Sequence, residues 1–243
     1  MRSILFALFA LVTLPALAAT PEELDALYAR RDDAAALKQL DEALDAALEA
    51  TPEDYEVLWR AARLRQWRAY GATDAKVKKS LGKQAWELGD RARKAAPDRI
   101  EGHYFAALGM GAYSEAVGIL TAIGEGLESK YNERLDAALK MDPSYERGGP
   151  LLAKGRYYYE LPWPKRDLKK SASFYQKVIT KHPEQLRAWL YLAETLLADG
   201  EERQAHEAIL KVFQGSVDYD PAEGHRVQGW AKKVQTAIEK ELK

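Results

Sequence analysis

Residues 185–213 read QLRAWLYLAETLLADGEERQAHEAILKVF, and they set the scale for the rest of the chain. Trp189, Leu192, Ala193 and Leu196 recur at i, i+3, i+4 and i+7, which is one stripe of a helix. Asp199-Gly200 interrupts the stripe, because glycine takes the left-handed geometry that ends a helix. Ala205, Ile209 and Val212 then form a second stripe. The stretch is therefore expected to be two short helices folded on each other about a tight turn, with His182-Pro183 ending whatever precedes it.

The same punctuation recurs upstream. Pro52, Pro97, Pro143 and Pro183 lie 45, 46 and 40 residues apart, each beside an acidic or polar residue able to cap the next helix. Proline stops a helix because it lacks an amide donor and forces its predecessor out of helical geometry. The breaks divide the chain into units at about 21–52, 53–97, 98–143, 148–183 and 185–214, with a closing amphipathic helix at 221–242. Gly148-Gly149-Pro150 is read as the boundary between the third and fourth units. Alanine, leucine, glutamate and lysine are abundant, which favours helix.

A helix-turn-helix unit with a large residue early, small residues at the crossing and a closing proline resembles the tetratricopeptide repeat. The spacing exceeds that repeat's usual ~34 residues, so lengthened helices or inserted turns are expected. The implied fold is all-α, a right-handed solenoid of about five helix pairs plus a closing helix. Within it, GHYFAALGMGAYSE (102–115), KMDPSY (140–145) and RYYYELPWPKRDLKKS (156–171) make residues 101–213 resemble the T component of tripartite (TRAP) transporters. Their layout is also similar to that of the regulator-of-microtubule-dynamics proteins, another tetratricopeptide group. The T-component resemblance implies a periplasmic, noncatalytic protein able to form a homo-oligomer. It also implies a solute-binding subunit as partner and apolar clefts for small ligands. The chain departs from that component's lipid-anchored form in having no cysteine.

Residues 1–18, MRSILFALFALVTLPALA, carry Arg2, an apolar run from Ile4 to Leu14, and a small-x-small Ala16-Leu17-Ala18. This is the pattern of a cleaved export signal, and the run is too short for a spanning helix. The mature chain, 19–243, is expected to start at Ala19 and to be soluble in the periplasm or outside the cell. Lys+Arg number 36 and Asp+Glu 37, so the formal net charge is -1 and no basic face argues for nucleic acid. A local basic run, KVKKSLGK (76–83), reads as a solvated helix face or as a patch for an acidic partner or an anionic membrane.

No catalytic constellation emerges. The four histidines, at 103, 182, 206 and 225, have no i, i+4 spacing, and no HExxH or phosphate-binding glycine loop occurs. No metal site, cofactor or reaction is expected. Aromatic residues concentrate where helix formers thin out: Tyr104, Tyr113, Tyr157, Tyr158, Tyr159 and Trp163 surround six glycines between 102 and 126 and the Pro-bracketed Leu161-Pro162-Trp163-Pro164. The glycines suit close helix packing or a surface where a ligand nears the backbone. The aromatics suit ordinary packing or a concave surface that grips a partner protein. A second reading is a carrier of small hydrophobic ligands in an aromatic-lined groove.

Overall fold

Caps and breakers partition residues 19–243, the part that the computed structural model describes, into helices joined by short connections. The expected export segment, 1–18, lies outside the described residues. In chain order the helices are α1 (Pro21–Ala29), α2 (Ala34–Ala50), α3 (Tyr55–Gly71), α4 (Ala75–Ala95), α5 (Ile100–Val117) and α6 (Ile119–Gly124). They continue as α7 (Leu127–Met141), α8 (Tyr145–Glu160), α9 (Leu168–Lys181), α10 (Leu186–Ala198), α11 (Glu202–Gln214) and α12 (Pro221–Glu241). There is no strand among the described residues. The all-α solenoid implied by the proline spacing is the fold observed.

Side chains start the helices where backbone donors need partners. Asp33, Asp54, Asp74, Asp167 and Asp220 each accept an N–H from the first turn of the helix they precede. Thr20 and Glu23 form a reciprocal capping box on α1. Pro52, Pro97, Pro143 and Pro183 each fall in a connection between helices.

Two segments differ from their reading in sequence. The break before the fourth unit is not at Gly148-Gly149-Pro150 as a whole. Glu146, Arg147 and Gly148 take left-handed backbone geometry at φ 49°, 53° and 83°, and regular helix resumes from Gly149-Pro150. Proline suits a first helical turn, so Pro150 begins this helix rather than ending one. The glycine-rich third unit contains an extra short helix, α6, hinged at Gly118 (φ 91°) and Gly126 (φ 74°).

Other glycines set helix spacing. Gly82 and Gly89 on α4 face Gly102 and Gly109 on α5. A Cβ at any of the four would run into backbone of the opposite helix. Seven-residue spacing on both helices lays the glycines along one seam. Elsewhere apolar side chains fill the joints. Val178, Leu186, Leu190, Ile209, Val212, Val227 and Ile238 form the core of the C-terminal half, and Leu24, Leu40, Leu44, Leu58, Leu64 and Leu88 that of the N-terminal half.

The stack returns on itself. Arg31, which follows α1, pairs with Asp220 at the start of α12 at 2.6 Å across 189 positions of sequence, and is itself only 4% exposed. Arg226 on α12 donates to the Trp67 carbonyl at 2.7 Å, with its guanidinium 3.5 Å from the centre of the Trp67 ring. The start of the C-terminal helix thus meets the α1–α2 connection and the end of α3, and the curved stack borders a central hollow that stays partly open.

Candidate functional site

The hollow is a cavity of about 900 Å³, and the first member of each helix pair supplies most of its wall. The stripes are spaced by three and four residues, as one face of a helix must be: Arg63, Trp67 and Tyr70 on α3, Arg187, Tyr191 and Glu194 on α10, Arg226, Trp230 and Lys233 on α12. α1 adds Tyr28, α5 adds Tyr104 and Leu108, and α8 adds Leu152, Arg156 and Tyr157.

Arginine and aromatic rings alternate around this wall. Arg63 lies 3.8 Å and Arg31 4.1 Å from the Tyr28 ring centre. Arg187 sits between Tyr70 and Trp230, at 5.5 and 5.1 Å, and Arg156 lies 4.9 Å from Tyr191. Carboxylates pin most of the guanidinium groups. Arg187 pairs with Glu223, Arg156 with Glu194 at 2.6 Å and with Glu160 at 2.5 Å, and Arg63 with Asp25. Arg226 is the exception: it has no carboxylate within 4.0 Å among the described residues. Burial pushes its guanidinium down to about 10, helped by the like charges of Arg187 and Arg31.

Tyrosine hydroxyls face this wall as donors that keep their protons. Burial holds Tyr104 and Tyr131 well above the ordinary phenol value and pushes Tyr219 up to about 12. Tyr131 donates to the Ala153 carbonyl at 3.0 Å and Tyr219 to Gln185 at 3.1 Å. Glu146 is exposed to the cavity, in a wall crowded by neighbouring side chains. Burial raises its carboxyl although Arg63 acts in the opposite direction, and no cation bridges it among the described residues. It is brought there by the left-handed turn at 146–148.

The structure divides the six aromatics singled out from sequence. Tyr104, 7% exposed, lines the cavity and packs on Phe105 and Tyr145. Tyr157 also lines it, donates to Glu128 at 2.8 Å and stacks on Tyr131. Tyr113 packs against Trp86 away from the cavity. Tyr158 stacks on Phe174, and Tyr159 lies between Arg156 and Arg166 at the edge of a second, smaller hollow. Trp163 is 88% exposed on the outer rim. The three consecutive tyrosines therefore point three ways, as a helix requires.

The arginines of the wall, with Trp67, Tyr70, Tyr191 and Trp230, were not singled out from sequence. Their signal is a repeated pattern, arginine followed four positions later by an aromatic: Arg63/Trp67, Arg187/Tyr191 and Arg226/Trp230. All three pairs lie on helices that line the cavity, with Trp67 buried and Tyr191 and Trp230 packed against the C-terminal core. The histidines lie elsewhere. His103 contacts the Pro97 carbonyl, and no histidine lines the cavity. No cluster of three metal-ligating side chains occurs among the described residues.

Helix pairs stacked in series around a concave aromatic wall define a helical-repeat protein of the tetratricopeptide type. The chain belongs to the family described as regulator of microtubule dynamics protein 1-3, whose model matches residues 21–166. A thermophilic tetratricopeptide protein of Thermus thermophilus has a similar fold, with a TM-score of 0.62 at 19% identity over 88% of this chain and 96% of its own. Yeast Tom70 aligns at a TM-score of 0.40 and 14% identity, over 89% of this chain and 47% of its own. No curated protein matches the chain. The family match falls on the regulator-of-microtubule-dynamics group, the second of the two resemblances drawn from sequence.

Proposed function

We propose that this protein is a noncatalytic binding scaffold that holds a short segment of a partner protein in its central cavity. One observation supports this above the others: the wall consists of arginines held in place by carboxylates and protonated tyrosines. Rigid aromatic and guanidinium groups recognise extended chain through stacking and hydrogen bonds at low entropic cost. Six of the seven carboxylates that line the cavity pair with an arginine or a lysine, which leaves Glu146 alone for general-base chemistry. The setting belongs to the same proposal: export directed by residues 1–18, cleavage after Ala18, and an extracytoplasmic partner, a solute-binding subunit being the first candidate.

A second reading, a carrier of a small ligand, draws on the enclosure of the cavity by α12. Its volume of about 900 Å³ suits small-molecule sites, which run roughly 300–1,000 Å³.

Gly229 offers a clean test. It lines the cavity, and a Cβ there meets nothing within 4 Å. Gly229→Trp should plug the hollow while preserving the fold. Affinity capture from an extracytoplasmic extract is expected to recover a stoichiometric partner with the parent chain and none with the variant. Equal recovery with both would exclude the cavity as the site. A small molecule in the native mass spectrum of the parent, absent from the variant, would favour the second reading.

A further inference from the structure

Three large apolar side chains stand out into solvent more than any others in the described residues: Trp163 at 88%, Leu120 at 74% and Val77 at 48%. They are not scattered. Val77 is in the first turn of α4, Leu120 is on α6 between α5 and α7, and Trp163 is in the connection from α8 to α9. In antiparallel helix pairs these connections share one edge of the stack. Two ion pairs tie them together: Lys78 reaches Glu115 at the end of α5 at 2.6 Å, and Lys165 reaches Glu128 at the start of α7 at 2.8 Å.

The charge on this edge is one-sided. Three of the nearby carboxylates are paired with lysines, and two accept hydrogen bonds from neutral groups. Glu115 and Glu128 hold those two lysines, and Asp167 pairs with Lys170. Asp74 caps α4, and Glu125 accepts from Tyr113. Lys76, Lys79, Lys130, Arg166 and Lys169 are all exposed, and none has a carboxylate within 4.0 Å among the described residues. Eight cations against five carboxylates leave this edge three positive charges in excess, around three exposed apolar side chains, one of them a tryptophan.

We infer that this edge, from the start of α4 to the start of α9, docks peripherally on an anionic lipid bilayer. Tryptophan prefers the headgroup boundary, where its ring is half in hydrocarbon and its N–H is wet. Apolar residues beside basic ones anchor a surface without spanning it, and each Lys or Arg near an anionic leaflet adds an attraction that salt screens. No described helix is long and apolar enough to cross a membrane. Contact through the rim is the mode these side chains fit. An acidic protein would satisfy the cations but would not account for three apolar side chains exposed together. None of the three apolar side chains or five free cations lines the cavity, although Lys78, Glu115 and Glu128 of the two tying ion pairs do, so the inference is tested apart from the cavity proposal.

Sedimentation of the mature chain, residues 19–243, with vesicles tests it. Vesicles of phosphatidylcholine with roughly 30% phosphatidylglycerol should bind the protein at low salt, vesicles of phosphatidylcholine alone should not, and about 0.5 M salt should release it. Reversing three charges (Lys76→Glu, Lys79→Glu, Lys169→Glu) should weaken binding roughly a hundredfold. The pair Trp163→Ser and Leu120→Ser should weaken it at least about tenfold. All five sites are exposed, and melting curves matching the parent's would show that each variant is folded. Failure to bind anionic vesicles, or binding that ignores the apolar pair, would overturn the inference. Capture of a polyglutamate peptide without vesicle binding would overturn it in favour of an acidic protein partner.

Discussion

Two of the joints in this molecule are built on opposite principles. Where α4 meets α5, neighbours in sequence, Gly82, Gly89, Gly102 and Gly109 let backbone rest on backbone with no polar group intervening. Where α12 meets the α1–α2 connection and α3, far apart in sequence, Arg31 bridges to Asp220 and Arg226 lies on Trp67. The first joint depends on shape and tolerates no added atom. The second depends on charge and stacking, and its strength varies with salt and with what fills the cavity. A solenoid assembled only from joints of the first kind would be an open spiral. The second kind makes it a vessel.

The largest effect should come from spoiling the first joint. Gly109→Leu would force a side chain into the Trp86 backbone, and a loss of about 3 kcal/mol is expected, a fall in Tm of roughly 6–12 °C. Arg31→Met should cost less, about 2 kcal/mol, because the Asp220 left behind is 27% exposed and water can reach it. Small-angle scattering should then show a larger radius of gyration with helix content unchanged. If both variants melt alike and neither expands, the two joints are not separable.

Arg226→Ala should cost about 1 kcal/mol through lost stacking on Trp67 and should speed exchange of whatever the cavity holds, measured as a faster off-rate. Glu146→Gln should act in the other direction, by a small amount. Burial raises the folded-state pKa of Glu146 above its unfolded value, so ionising it penalises the fold. That penalty is absent below the ordinary carboxyl pKa and is complete above the raised one. The variant should therefore gain on the order of 1 °C at neutral pH and nothing in acid, with water in the cavity screening the difference. Trp163→Ala, on the outer rim, should change stability by less than about 0.5 kcal/mol.

The first kind of joint was legible in sequence and the second was not. Apolar residues at 3.6-residue period and prolines at regular intervals are local signals. They gave the stacked pairs, and close helix packing was one of the two readings of the glycines between 102 and 126. Arg31 and Asp220 carry no local mark of their pairing, since any surface helix shows such residues. The same limit explains the aromatic reading. Density in sequence drew attention to Tyr157–Tyr159 and Trp163, but the cavity draws one or two rings from each of several helices, so its members lie far apart in the chain. Tyr104 and Tyr157 were found because they fall in the dense segment. Tyr28, Trp67 and Trp230 stand in helices far apart in the chain, and only the return of α12 makes them neighbours.

That return also bears on how such a chain can evolve. An open array can gain or lose a module at either end, because each copy needs only the one beside it. Here an inserted pair would carry Asp220 and Arg226 past Arg31 and Trp67, and a deleted pair would leave them short. The number of modules is therefore under selection as a single quantity, like the number of staves in a barrel.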